Sequence, residues 1–134
     1  RLGEMPGYCY AGIKMKARPL SELPEIQKLS QALKKVCNVT NWGVGVNPLV
    51  YRDGNDRIGK HADDDQGEEK IMTVVVDSPP QPRRVVIEAK PGIARQNDEE
   101  TEQIELILNS GDAYEMDQDM QRCYTHHVPK SAKQ

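Results

Sequence analysis

A single run of helical apolar spacing is followed by several short β-rich runs, each closed by turn residues. That order decides the fold class. Ile26, Leu29, Leu33 and Val36 recur at helical spacing with Lys28, Lys34 and Lys35 between them, so the sequence predicts one amphipathic surface helix ending near Cys37. Ser21 can cap its start, and Pro24 is tolerated in a first turn. Beyond it, Val44, Val46 and Leu49-Val50-Tyr51 read as strand interrupted at Pro48. Ile71-Met72-Thr73-Val74-Val75-Val76 is a nearly continuous apolar run, the pattern of a strand buried on both faces. Arg84 to Ala89, Ile104 to Leu108 and Ala113 to Met116 read as further strands. Asp53-Gly54-Asn55-Asp56, Ser78 to Pro82 and Ser110-Gly111-Asp112 are turn signals, and Gly54 and Gly59 are expected to serve turn geometry. The polar, acidic stretch Gly92 to Glu102 reads as a flexible loop. Short strands with turns roughly every 8–12 residues point to a β-sandwich or jelly roll. A doubly wound sheet would alternate strand and helix, and this chain does not.

With 134 residues, no Phe and one Trp, the chain suits one domain over 1–134 whose core comes from Val, Ile, Leu, Met and a few Tyr. The net charge of -3 gives no global attraction for nucleic acid, so such binding would need a local basic patch. The available clusters are Arg83-Arg84, Lys14-Met15-Lys16 with Arg18, and Lys130 to Lys133. No apolar run reaches the roughly 18 residues of a membrane span, so no membrane partner is expected, and no secretory signal pattern is visible. Cys9, Cys37 and Cys123 are odd in number, widely spaced and fit no zinc pattern. They suggest reduced thiols in an intracellular compartment, whether nucleus, cytoplasm or mitochondrion.

All three histidines fall in two places, His61 and the pair His126-His127. His61 and Asp63, two residues apart on a strand, would project to the same face, so an imidazole and a carboxylate could reach one metal ion. The third ligand would come from a strand across the sandwich. Two histidines and a carboxylate with open positions opposite suit Fe(II), whereas thiolates would suit zinc. On spacing alone, the run Asp63-Asp64-Asp65 followed by Glu68-Glu69 fits a solvated acidic turn as well.

The surroundings add to this. Tyr51-Arg52-Asp53-Gly54-x-Asp56-x-Ile58-Gly59-x-His61-x-Asp63-Asp64 resembles the core signature of the AlkB-like Fe(II)/2-oxoglutarate dioxygenases. So does the later block Leu108-x-Ser110-Gly111-Asp112-x-Tyr114-x-Met116, then Gln121, then His126-x-Val128-Pro129-Lys130. The blocks stand in the family's order, and the likeness runs from about Tyr10 onward. The resemblance implies a double-stranded β-helix core with one flanking helix before it. It also implies Fe(II) held by His61, Asp63 and His126, with 2-oxoglutarate and O2 consumed in a C–H hydroxylation. On an N-methylated base, the hydroxymethyl product falls apart to formaldehyde. By the same resemblance, Tyr51 would hydrogen-bond the cosubstrate, Asp64 and Asp65 would touch the substrate base or its loop, and Tyr8 and Tyr10 would lie in the substrate-facing segment. The implied partner is an alkylated nucleic acid, or less directly a protein side chain.

Two departures bear on activity. Leu49 stands where the family carries an Asn that bonds the cosubstrate, and leucine offers no hydrogen bond. The family's Arg-x-Asn-x-x-x-x-Arg strand, whose arginines grip 2-oxoglutarate bidentately, would begin beyond Gln134. The expectation is therefore an AlkB-like domain cut short at both ends and lacking its final strand. The alternative is a degenerate AlkB-like scaffold, a subunit of a larger assembly, that no longer turns over the cosubstrate.

Overall fold

The computed structural model describes residues 8–10, 12–16, 18–36, 46–63, 70–93 and 103–131. The chain forms two compact units, Arg1–Pro48 and Leu49–Gln134.

In the first unit, strands β1 (Tyr8–Tyr10) and β2 (Ile13–Met15) pair antiparallel, with Tyr8 opposite Met15. Gly12 between them has φ 79°, a left-handed conformation that glycine adopts without steric cost. A 3-10 turn at Leu20–Glu22 precedes helix α1 (Pro24–Val36). Pro24 opens α1, where a missing N–H leaves no bond unmade. Lys34 and Lys35 fall in its last turn, where cations meet the negative end of the helix dipole. Ser21, expected to cap the helix, lies instead inside the 3-10 turn.

The second unit contains β3 (Ile58–His61), β4 (Ile71–Val74), β5 (Arg84–Ala89), β6 (Gln103–Ile107), β7 (Ala113–Met116), helix α2 (Gln118–Cys123) and β8 (Tyr124–Val128). One sheet has the order β3-β8-β5-β6 and a second pairs β4 with β7, and every pairing is antiparallel. The architecture is mainly β with two helices, consistent with the jelly roll read from the sequence. Among the described residues, the buried apolar side chains are Val85, Val86, Ile87, Met116 and Val128.

Three local readings are corrected. The strand with both faces buried is β5, whose consecutive residues Val85, Val86 and Ile87 are all buried, and not the run from Ile71 to Val76. β5 lies between β8 and β6, whereas β4 has β7 as its partner, is half-buried throughout, and is followed by Val76 at 73% exposure. Val46, Leu49 and Val50 are exposed and belong to no strand, since Pro48 brings no N–H to a ladder. Gly59 is not in a turn but inside β3.

β2 and α2 were not read from the sequence, and β8, the strand carrying His126, was inferred there without bounds. Helix α2 begins at Asp117, whose carboxylate accepts from the Met120 N–H at 2.8 Å. That aspartate was a legible cap signal. The Lys90 N–H donates to the Cys123 carbonyl at 2.8 Å, fastening the end of α2 to the end of β5.

Candidate metal centre

Strands β3 and β8 bring the two histidines together. Ile58 lies opposite Val128, but His61 lies opposite His126. Between these pairs β3 advances three residues and β8 two, so β3 carries one extra residue. In an unbroken ladder Lys60 would face His126, and His61 would point to the other side of the sheet. The irregularity sits around Gly59, a residue type that often marks such sites in strands. The third ligand therefore comes from the neighbouring strand of the same sheet, not from a strand across a sandwich. His127, the next residue along β8, points to the opposite face. There its Nδ1 is 3.9 Å from Glu88 Oε1.

Asp63 completes the cluster from two residues beyond the end of β3. It is not a strand residue, as the same-face argument assumed. His61 Nε2 is 3.7 Å from Asp63 Oδ1, and His126 Nε2 is 3.5 Å from Asp63 Oδ2. One potential ligand atom from each of the three residues lies within 4.8 Å of the others. With metal–ligand bonds of about 2.1 Å, ligand atoms at right angles sit about 3 Å apart.

The protonation pattern fits a cation. The His61 Nδ1 is 2.8 Å from the Gly59 carbonyl oxygen. A carbonyl can only accept, so Nδ1 donates to it, and Nε2 is the ring nitrogen left facing Asp63. His126 is buried, and that burial holds its pKa below the ordinary histidine value. Neighbouring His61 adds to the effect and Asp63 opposes it. A neutral imidazole is the form a metal needs. Two nitrogen donors and one carboxylate, with no thiolate among them, suit Fe(II).

Two further residues border the cluster. Gln121 on α2 is buried, accepts from the Asp63 N–H through Oε1 at 2.9 Å, and turns Nε2 toward Asp63 Oδ2 at 3.5 Å. Tyr114 on β7 bonds Thr73 across the β4–β7 pair. Burial pushes its phenol pKa up, and the charge of Asp63 adds to that. Sequence reasoning gave neither residue a role. Both do stand in the later sequence block, ahead of His126, and that position was the available signal.

The other expected site residues are placed differently. Tyr51 is half-buried under the guanidinium of Arg83, 5.1 Å from its ring centroid. It lines an open groove with Leu49, Arg52, Asp56 and Ile58, and none of the three clustered residues lines that groove. Asp64 and Asp65 lie outside the described residues, as do the side chains of Tyr8 and Tyr10. Arg83, read as part of a basic cluster, donates to the carbonyls of Asp53 at 2.9 Å, Asp56 at 2.7 Å and Pro129 at 2.6 Å. Arg84 pairs with Glu105 at 3.0 Å.

A two-histidine, one-carboxylate cluster on an antiparallel β fold is a donor set that could hold one metal ion. The chain belongs to the 2OG-Fe(II) oxygenase superfamily, whose family model matches residues 1–134. Membership implies Fe(II), 2-oxoglutarate and O2, and His61, Asp63 and His126 could hold the metal. No curated protein matches the chain.

Proposed function

We propose that the chain is an AlkB-like dioxygenase domain that oxidatively removes N-methyl groups, with a nucleobase of DNA or RNA as its substrate. The observation that carries the reading is the His61–Asp63–His126 cluster in a chain of this superfamily. The AlkB-like assignment is supported by the two ordered sequence blocks that surround those residues.

When bound, iron with 2-oxoglutarate and O2 supplies the oxidising chemistry. The chain's own contribution is positional. His61 and His126 offer imidazole nitrogens, and Asp63 offers a negative charge that offsets part of the metal's. Ile87, opposite His126 in the β5–β8 pair and buried, shields that imidazole from water. Tyr51 is proposed to meet the cosubstrate, and Asp64, Asp65, Tyr8 and Tyr10 to meet the substrate, on the strength of the resemblance. For a nucleic-acid partner, Lys14 and Lys16 in the first unit and Lys130 in the second are exposed, whereas Arg83 and Arg84 have internal partners. Among the described residues no helix is long and apolar enough to cross a membrane. A reducing intracellular compartment is proposed from the three unpatterned cysteines.

One observation favours a second reading, a scaffold that binds metal without turnover. Leu49, at the position of the family's cosubstrate Asn, is 57% exposed and lies in the Tyr51 groove. Anaerobic titration with Fe(II) and 2-oxoglutarate separates the two. The enzyme gives the weak visible charge-transfer band, and His61→Ala abolishes it; a band unchanged in that variant removes His61 from the site. Formaldehyde released from a methylated oligonucleotide in an amount equal to the succinate formed from 2-oxoglutarate supports demethylation. Metal binding without either product supports the scaffold.

A further inference from the structure

We propose that Gln121 is a positioning residue for the metal centre, holding Asp63 by both its backbone and its carboxylate and so setting the affinity of the cluster. The inference rests on the metal-binding reading of His61, Asp63 and His126.

Asp63 needs such a hold. It lies two residues past the end of β3, so the strand ladder does not fix its backbone. Gln121, 58 residues away in sequence, accepts from the Asp63 N–H at 2.9 Å. That bond settles which way the amide points. A backbone N–H only donates, so the atom facing it must be Oε1, and Nε2 is then the atom facing the carboxylate. The reverse orientation would set donor against donor and acceptor against acceptor. Nε2 reaches Asp63 Oδ2 at 3.5 Å and the Met116 sulfur at 3.7 Å. Oδ2 is also the oxygen 3.5 Å from His126 Nε2, so the amide and a ligand imidazole converge on one atom.

Gln121 is itself firmly held. Its side chain is 5% exposed, and a buried amide without partners is costly. Its N–H donates to the Asp117 carbonyl at 3.1 Å, and its carbonyl accepts from Lys90 Nζ at 2.8 Å. A short helix capped at Asp117 and tied to β5 thus presents one amide to one ligand. A carboxylate restrained in this way loses less freedom when it coordinates, which is how residues behind a ligand raise metal affinity.

Ni(II) is a suitable probe because it binds such donor sets tightly, which keeps a two-histidine site measurable. Affinities would be read by competition with a chelator, without cosubstrate, in the full chain and in Gln121→Met, Asp63→Ala and the double variant. Gln121→Met is expected to weaken Ni(II) binding about 10–100-fold, and to add nothing once Asp63 is alanine. An equal loss in both backgrounds, or none in either, overturns the positioning role. Unchanged binding in Asp63→Ala instead sinks the metal reading itself. Should Gln121→Met not fold, hydrogen exchange in the unaltered chain decides. The Asp63 amide is expected to be protected although it lies outside every strand, and exchange at the rate of an open-chain amide overturns the proposal.

Discussion

His61 and His126 are direct cross-strand partners in the β3–β8 pair, with ring centroids 4.3 Å apart and planes tilted by 52°. Opposed side chains in an antiparallel pair have Cβ atoms about 5 Å apart. Two imidazoles placed this way converge through the β3–β8 pairing and its one-residue irregularity. His127 lies on the other face of β8, near Glu88. His126→Ala is therefore expected to abolish Ni(II) or Fe(II) binding. His127→Ala should leave metal affinity within about threefold, because a side chain on the opposite face that shares no partner with the cluster couples to it only weakly. Chelator competition on both variants checks this. The reverse ranking would mean that β8 is shifted by one residue.

Arg83 is expected to matter for stability before it matters for any ligand. It joins the turn ahead of β3, through Asp53 and Asp56, to the exit of β8 at Pro129. The Ser131 N–H, bonded to the Gly54 carbonyl at 2.8 Å, reinforces the same junction. Hydrogen bonds from a charged donor contribute about 1.5–3 kcal/mol each and are not additive, so Arg83→Ala should cost about 2–4 kcal/mol. Arg83→Lys should recover only part of this, because an ammonium cannot fork to several carbonyls. Urea unfolding midpoints read the effect. Unchanged stability with weakened oligonucleotide binding would instead make Arg83 part of the basic surface that the sequence left available for phosphate contact.

How far the sequence reached differs between fold and site. Strand-rich runs with turn residues were enough for the mainly β class and for α1, because period and punctuation are local signals. Which strand would be buried on both faces was not local: it depends on neighbours in the sheet, and β5 has two whereas the more apolar β4 has β7. The three clustered residues were legible as a pattern, but their geometry was not. The extra residue in β3 belongs to its pairing with β8, a strand the sequence placed across the sandwich rather than beside β3. Arg83 shows a related difference. Its charge is visible in the sequence, whereas the three carbonyls that engage it come together only in the fold.

The turn ahead of β3 also carries a pH signature. Arg52 donates to both carboxylate oxygens of Asp56, at 2.9 and 2.7 Å, and its backbone N–H adds a third bond at 2.8 Å. The guanidinium, with that backbone bond, holds the Asp56 carboxyl well below the usual carboxylate range. A carboxyl depressed on folding contributes stability above its unfolded pKa of about 3.9 and loses it as the pH falls toward the folded value. The contribution is small for an exposed pair, so the site-resolved titration is the useful readout. In a carbon-detected NMR titration, Asp56 should remain ionised where ordinary aspartates protonate. In Arg52→Gln its midpoint should rise toward the usual range without fully reaching it, because the backbone bond remains. Identical midpoints in the two proteins would contradict the ion pair.

Metal binding should register as stability of the unit Leu49–Gln134, which contains all three clustered residues. A ligand that binds the folded state alone stabilises it by about 2.7 kcal/mol at a free concentration 100 times its Kd. For a unit of this size each kcal/mol moves the midpoint by about 4–8 °C, so saturating Zn(II) or Ni(II) should raise Tm by about 10–20 °C. A chelator should reverse the shift. Asp63→Ala removes the only charged donor of the cluster, and most of the gain should go with it. The apo variant itself should melt close to the apo chain, since the Gln121 Oε1 bond is to the Asp63 backbone and survives the substitution. The acidic groups elsewhere in the chain make nonspecific cation binding the competing explanation. Such binding would give Asp63→Ala the same metal-dependent shift as the unaltered chain, and that result would detach the stabilisation from this site.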